Sequence, residues 1–169
     1  MTADVLRTSA LAHRAADLAQ LRAAEVPFLA QVDVRTGLPS ALWLPEAPNT
    51  ALRSGDRSLL WLGPDEWLVT SGTESAPSLV AEVATALAGT HHAAVDVSAN
   101  RVAIDLLDGP DVLRAACGLD LHPRAWADGM CAQTLFARAQ VLLEQRGAAT
   151  RVFVRPSFAD YLIDRLLAG

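Results

Sequence analysis

The polar residues with the greatest chemical potential lie in one short segment, where Asp96, Ser98, Asn100 and Arg101 follow one another closely. A serine nucleophile needs a base, and His92 would share a strand face with Asp96 if this segment is extended. The sequence has no G-x-S-x-G nucleophile elbow, and these residue types are the ones that local side-chain to backbone hydrogen bonds select in a bend. We therefore interpret the cluster as a structural turn, with a hydrolase using His92 and Ser98 as an alternative.

The histidines and cysteines do not have the spacing of a metal site. Successive side chains of a strand point to opposite faces, so His91 and His92 cannot easily ligate one metal ion. His122 lies in a predicted loop, where we interpret it as a structural residue. Cys117 and Cys131 are too few and too far apart for a redox motif or a tetrahedral zinc site, and we expect free thiols. No phosphate-binding glycine motif occurs. We therefore predict no catalytic, cofactor-binding or metal-binding residues in this chain.

Composition and charge narrow the class of protein. The chain has 169 residues, enough for one domain with a substantial core, and 51% of its residues are hydrophobic. No apolar run approaches the length of about 20 residues that a membrane span requires. All 14 basic residues are arginine, and the net charge of −5 makes nucleic-acid binding improbable. The N-terminal residues do not fit a signal peptide, so we expect a cytoplasmic protein.

The elements that must position these residues are organised around a hairpin. Two apolar runs, Ser58–Leu62 and Trp67–Ser71, flank the segment Gly63-Pro64-Asp65-Glu66. Pro64 has the φ angle that a turn requires at its second position, and glycine and aspartate favour turns beside it. Trp61 and Trp67 could pack against each other across the strands. The adjacent carboxylates Asp65 and Glu66 are typical of a solvated turn.

Other elements follow from periodicity and from turn residues. An alanine-rich segment favours a helix that Pro27 ends, and prolines between the first strand and the hairpin indicate a long ordered loop. The predicted elements are a helix over Thr8–Glu25, a strand over Phe28–Arg35, a loop over Leu38–Gly55, a helix from Pro77 to Ala88, and a second hairpin formed by His92–Val97 and Arg101–Leu107.

The C-terminal third is ambiguous. Residues Gly129–Gly147 fit either one long helix or two strands, Cys131–Phe136 and Ala139–Gln145, and Arg151–Arg155 favours a third strand. A short helix is predicted over Val112–Cys117. The last helix, Phe158–Leu167, is predicted to begin at Ser157 as N-cap, with Asp160 in the capping-box position. Gly-Pro-Asp occurs at both Gly63 and Gly109, a weak repeat that suggests a duplicated unit.

Four segments together resemble the gamma subunit of heterotetrameric sarcosine oxidase. They are LWLGPDEWLVTS at 60–71, VDVSANRVAIDLLDGPDVLRAACGLDLHP at 95–123, GMCAQT at 129–134 and VRPSFADYLIDRL at 154–166. The residues of these motifs to which we assign a structural role are Gly63, Pro64, Asp65, Glu66, Trp67, Asp96, Ser98, Arg101, Gly109, Pro110, Asp120, His122, Pro123, Ser157, Phe158 and Tyr161.

The resemblance implies an α+β fold with antiparallel strands and helices in a pseudo-duplicated ββαβ arrangement, similar to the folate-binding domain of glycine-cleavage aminomethyltransferases. It also implies that flavins, NAD and tetrahydrofolate are bound by the partner subunits, which are alpha, beta and delta, and that the chemistry takes place in the alpha and beta subunits. The gamma subunit would then be a non-catalytic assembly subunit. Trp43, Trp126 and Tyr161 are the anchors that we would test at its interfaces. The alternative is a stand-alone folate-binding module of the aminomethyltransferase type.

Overall fold

The structure is a computed structural model that describes residues 7–168, and it contains four helices and ten strands in that range. The helices are α1 (Ala15–Gln20), α2 (Ala76–Ala86), α3 (Gly109–Leu113) and α4 (Ala159–Leu167). The strands are β1 (Ala23–Glu25), β2 (Ala30–Thr36), β3 (Ala51–Ser54), β4 (Arg57–Gly63), β5 (Glu66–Ser71), β6 (His92–Asp96), β7 (Val102–Leu107), β8 (Cys131–Phe136), β9 (Ala139–Arg146) and β10 (Ala149–Val154).

The strands form two antiparallel sheets that pack face to face between outer helices. Sheet I has the order β3-β4-β5-β2-β6, and sheet II has the order β1-β7-β10-β9-β8. A central core lies between the sheets and includes Leu60 and Leu68 from sheet I and Leu142 and Phe153 from sheet II. The outer face of sheet I packs on α2, and the outer face of sheet II packs on α1 and α4. The central strands are therefore covered on both faces, which explains their nearly continuous apolar runs; these strands are β2, β5, β7, β9 and β10.

The two sheets repeat one topology. In the first half, a strand (β2) is followed by a three-strand meander (β3, β4, β5), a helix (α2) and a fifth strand (β6) that pairs with β2. In the second half, β7, the meander β8, β9, β10 and α4 follow the same order, and the fifth strand is β1, from the N-terminal end of the chain. The predicted pseudo-duplicated α+β fold is confirmed, and each repeat is larger than the ββαβ unit.

The two Gly-Pro-Asp segments do not lie at equivalent positions of this duplication. Gly63 ends β4, whereas Gly109 begins α3 directly after β7. By topology the counterpart of β7 is β2, and the counterpart of β4 is β9. The two Gly-Pro-Asp segments therefore occupy different positions in their repeats, so the duplication that they suggested is real but the segments are not equivalent parts of it.

The second predicted hairpin is also wrong. β6 pairs with β2 in sheet I, whereas β7 pairs with β1 and β10 in sheet II. Residues 97–101 therefore carry the chain from one sheet to the other and do not join two neighbouring strands. Turn residues report only that the chain changes direction, and the partner of each strand is decided by contacts that are distant in sequence.

The N-terminal third differs from its prediction in two places. The helix is short, because Arg22 adopts a left-handed φ of 52° and the next residues form β1 against β7. The alanine-rich composition favours a helix, but strand pairing overrides that preference over Ala23–Glu25. Likewise, the predicted loop contains a 3₁₀ turn at Pro39–Leu42 and the strand β3, which forms a hairpin with β4 around Gly55.

The C-terminal third follows the strand alternative, with β8, β9 and β10 as a meander. The capping box is wrong. Pro156–Phe158 form a 3₁₀ turn, α4 has no side-chain cap, and Asp160 instead accepts hydrogen bonds from Arg14 and lies 2.8 Å from His13 Nε2. Phe158, in the 3₁₀ turn, is 41% exposed. The predicted short helix also lies earlier than expected, at α3.

Candidate functional site

The segment that crosses between the sheets is fixed by Ser98. The Ser98 hydroxyl lies 2.6 Å from a carboxylate oxygen of Asp96, which also accepts the Ser98 backbone N–H. The same hydroxyl accepts the backbone N–H of Gln31 on β2 at 3.0 Å. The hydrogen bonds from Ser98 hold the pKa of Asp96 below its ordinary value. Asp96 and Ser98 therefore stabilise a bend, as the sequence predicts.

Arg101 ends this crossing and lies where three surface clefts meet. The clefts have volumes of about 510, 620 and 400 Å³, and Arg101 lines each of them. Its backbone carbonyl accepts a hydrogen bond of 2.8 Å from the side-chain amide of Gln31. Within residues 7–168, the guanidinium of Arg101 makes no hydrogen bond or ion pair. Burial lowers the pKa of Arg101, and the positive charge of Arg155 acts in the same direction.

Three charged residues of sheet I lie near Arg101, and two of them, Arg35 and Glu66, pair with each other. Asp33 and Arg35 alternate along β2, and Glu66 is the β5 partner of Arg35. Arg35 donates a hydrogen bond of 2.6 Å to Glu66. Burial raises the pKa of Glu66, and the neighbouring carboxyl of Asp33 raises it further. The carboxylates of Asp33 and Glu66 act to raise the pKa of Arg101, but Arg101 forms no ion pair with either of them in the described structure.

The opposite end of the space between the sheets is also polar but is closed. Glu144 on β9 is fully buried and binds Ser58 of sheet I and Arg146. Arg151 makes a two-pronged contact with Asp105, with distances of 2.7 and 2.8 Å. These charges are paired within the fold and are structural.

The remaining motif residues have structural positions as well. Trp67 is 1% exposed, and its indole N–H donates to the carbonyl of Pro45, whereas Pro64 and Asp65 form the exposed turn of the hairpin. Gly109 packs so tightly that a Cβ there would lie 2.5 Å from the Cβ of Thr150. Pro110 follows it in the first turn of α3.

Two further motifs lie in surface segments. Asp120 accepts the backbone N–H of His122, and His122 Nδ1 in turn lies 3.2 Å from the backbone nitrogen of Arg124, so that these residues and Pro123 form an exposed turn. Near the C-terminus, Ser157 is exposed and the rings of Phe158 and Tyr161 meet edge to face at 6.3 Å between centroids.

The candidate catalytic residues are not brought together. His92 Nδ1 lies 3.0 Å from the carbonyl of Thr90, whereas the Ser98 hydroxyl is hydrogen-bonded to Asp96 and Gln31. Within residues 7–168, no hydrogen bond joins His92 to Ser98. Cys117 and Cys131 are free thiols. Burial raises the pKa of Cys131 to about 12, which makes it a poor nucleophile at neutral pH.

No group of three or more histidine, cysteine, aspartate or glutamate residues within residues 7–168 could hold a metal ion. No helix of the described residues is long and apolar enough to cross a membrane.

Comparison with known proteins identifies the family. The sarcosine oxidase, gamma subunit family matches residues 21–167. The chain belongs to this family. Curated relatives named sarcosine oxidase subunit gamma are 33% identical in Arthrobacter sp, covering 95% of this chain and 90% of the relative, and 34% identical in Corynebacterium sp. (strain P-1), covering 88% and 78%. The sequence resemblance is therefore confirmed.

Solved structures agree with the family assignment. A chain of heterotetrameric sarcosine oxidase from Corynebacterium sp. U-96, in complex with pyrrole 2-carboxylate, has a TM-score of 0.85 and 31% identity, covering 96% of this chain and 94% of that chain. Glycine cleavage system aminomethyltransferase T from Bartonella henselae has a TM-score of 0.66 and 12% identity, covering 86% of this chain and 45% of that chain. The second similarity shows that this gamma-family chain has the aminomethyltransferase-like fold, and at that identity it shows the fold alone.

Sequence reasoning missed several residues of the polar end. Gln31 and Asp33 are polar positions within a strand that is otherwise largely buried, and Arg155 ends the apolar run of β10. Polar residues that interrupt an apolar strand could have been predicted as members of a polar site. Their proximity to Arg101 was not predictable, because it depends on how the two sheets are stacked.

Proposed function

We propose that this gamma-family chain is a non-catalytic assembly subunit of a heterotetrameric sarcosine oxidase. In that complex the alpha, beta and delta subunits would bind the flavins, NAD and tetrahydrofolate. The alpha and beta subunits would oxidatively demethylate sarcosine to glycine and pass the one-carbon unit to tetrahydrofolate. The observation that carries the proposal is the family match over nearly the whole chain, together with the solved heterotetrameric enzyme that contains a chain of the same fold.

The positions of the polar residues support a structural role for the chain. Ser98 and Asp96 are occupied in holding the crossing between the sheets, and Glu144 and Arg151 are paired inside the fold. A catalytic serine must instead be free to lose its proton to a base in contact with substrate. The cytoplasmic location and the absence of nucleic-acid and membrane partners remain predictions from the sequence.

The exposed aromatic residues suggest where partners bind. Trp43 is 83% exposed, and it sits on a backbone with a left-handed φ of 56°, an arrangement that costs free energy for a residue with a side chain. Tyr161 is half-buried beside Phe158. Trp126, proposed above as an anchor, is instead 5% exposed and donates its indole N–H to Gln145, so it belongs to the core. Trp43 is the better anchor to test.

Co-expression with the other three subunits of the same host tests the proposal. The chain should co-elute with them through affinity purification and size-exclusion chromatography, with each partner identified by mass. The complex carrying Ser98→Ala should oxidise sarcosine at the wild-type rate per assembled complex. A chain that elutes alone, or an assembled Ser98→Ala complex without activity, would contradict the proposal.

The stand-alone folate-binding module is the second candidate, favoured by the aminomethyltransferase-like fold and by the open clefts around Arg101. Calorimetric titration of the purified chain with tetrahydrofolate separates the two. Saturable heat and a rise in melting temperature would support the folate-binding module, and neither should occur for an assembly subunit.

A further inference from the structure

Sheet I does not cover the whole inner face of sheet II, and one end of that face is open to solvent. Leu142 and Phe153 lie in the core between the sheets. Alternation along the strands places Leu135 and Arg155 on the same inner face, farther toward one end of the sheet. These residues line the cleft of about 620 Å³, together with Arg101, Gln133 and Gln140. We call this surface the arginine cleft.

Neither arginine of the arginine cleft forms an ion pair with a carboxylate of the described residues. Arg101 and Arg155 both line it, and within residues 7–168 neither guanidinium makes a hydrogen bond or an ion pair. The carboxylates of Asp33 and Glu66 in sheet I stabilise the charge of Arg101 through space but form no ion pair with it, and Glu66 binds Arg35. Two neighbouring arginines repel each other, and a carboxylate placed between them relieves that repulsion through charge-assisted hydrogen bonds.

A second observation indicates that the occupant is larger than a small anion. Leu135 is 52% exposed beside the two arginines, although it lies on the face that elsewhere forms the core. Gln133 and Gln140 are exposed and supply hydrogen-bonding groups at the rim. An apolar patch with arginine and a polar rim has the composition of a protein interface. A free anion would bind the arginines and leave Leu135 in water.

We propose that the arginine cleft receives an acidic segment of a partner subunit, whose aspartate or glutamate side chain forms ion pairs with Arg101 and Arg155 while a neighbouring apolar side chain covers Leu135. This inference rests on the proposed function and adds to it the site and the chemistry of the contact. Arg155 is the better residue to vary, because it is exposed and its replacement should leave the fold intact.

The test measures assembly with the other subunits for the wild type, Arg155→Glu, Arg155→Gln and Leu135→Ser. Arg124→Glu is the matched control, because Arg124 is an exposed arginine outside the cleft. We expect Arg155→Glu to weaken assembly by about tenfold or more, Arg155→Gln and Leu135→Ser to weaken it less, and Arg124→Glu to have no effect. Assembly of the wild type should also weaken with added sodium chloride, and more steeply than that of Arg155→Gln. Thermal unfolding of each isolated variant confirms that it folds.

The outcomes separate this inference from the proposed function. If the wild type assembles and Arg155→Glu and Leu135→Ser assemble equally well, the arginine cleft is not the docking site, although the proposed function stands. If the wild type does not assemble, both fail. If succinate or citrate raises the melting temperature of the isolated wild type but not of Arg155→Gln, and assembly is unaffected, the cleft is a site for small carboxylates and the docking proposal is overturned.

Discussion

The hydroxyl of Ser58 donates a hydrogen bond of 2.9 Å to the carboxylate of Glu144, and this contact joins the two sheets through the buried interior. Ser58 lies on β4 and Glu144 on β9, which are equivalent strands of the two repeats. Arg146 binds both groups, at 2.7 Å to the serine and 3.0 Å to the glutamate. The polar link therefore joins the two halves of the pseudo-duplicated fold at the closed end of the space between the sheets.

Replacing Glu144 should destabilise the fold strongly. Glu144→Ala leaves Arg146 without its carboxylate, and we expect a loss of about 3 kcal/mol in the free energy of unfolding, at the low end for buried pairs. The low end applies because the Arg146 side chain keeps 20% exposure. Urea denaturation measures the change. Glu144→Gln keeps an acceptor for Ser58 and should lose less, and equal stability of all three proteins would contradict a structural role.

Trp67 and Trp43 provide a matched pair of tryptophans. Trp67 is 1% exposed and hydrogen-bonded, so Trp67→Ala should cost roughly 3–5 kcal/mol through cavity formation. Trp43 is 83% exposed, so Trp43→Ala should change the stability of the isolated chain by less than about 0.5 kcal/mol. Thermal and urea unfolding check both values. A near-neutral Trp67→Ala would show that this face does not form a core in the free chain.

Gly109 is required for packing and not for a left-handed backbone. Gly109→Ala places a Cβ at 2.5 Å from the Thr150 Cβ, and Thr150 is held by a hydrogen bond of 2.6 Å to Gln145. We expect a loss of about 1–3 kcal/mol from overpacking. Gly118→Ala is the control, since nothing lies within 4 Å of its added Cβ. Differential scanning calorimetry should separate the two variants, and similar melting temperatures would refute the close contact.

Asp56 should make stability depend on pH in the acid range. Hydrogen bonds from Ser71, then Thr73 and the backbone N–H of Gly72, lower the pKa of Asp56 from 3.8 to about 2. Because the folded pKa is lower than the unfolded one, the stabilisation is present above pH 3.8 and is lost as the pH falls through 2. Asp56→Asn should therefore lose less melting temperature than the wild type between pH 5 and pH 2.

The control for this measurement is Glu46→Gln, which removes one exposed negative charge elsewhere on the surface. Its melting temperature should follow the wild-type pH dependence. If Asp56→Asn also follows the wild type throughout the acid range, the carboxylate does not hold the loop after β5.

Local chemistry was sufficient to predict several elements from the sequence. The central hairpin, with Pro64 in its turn, is confirmed, and so is α2. These features depend on residues close together in the chain, such as a proline that fixes φ in a turn or in the first turn of a helix. The family motifs also identified the family, because motifs of this length are specific as a set without any knowledge of contacts.

Tertiary structure alone decided how the elements pair. The residues around Ser98 indicate a bend whether β6 and β7 form a hairpin or lie in different sheets. They lie in different sheets because β6 pairs with β2 and β7 pairs with β10. The same stacking of the sheets brings Arg101 beside Arg155 and leaves Leu135 exposed. Sequence patterns record which residues prefer burial or a turn. Which surfaces meet is set by long-range packing, and the arginine cleft exists only because one sheet extends beyond the other.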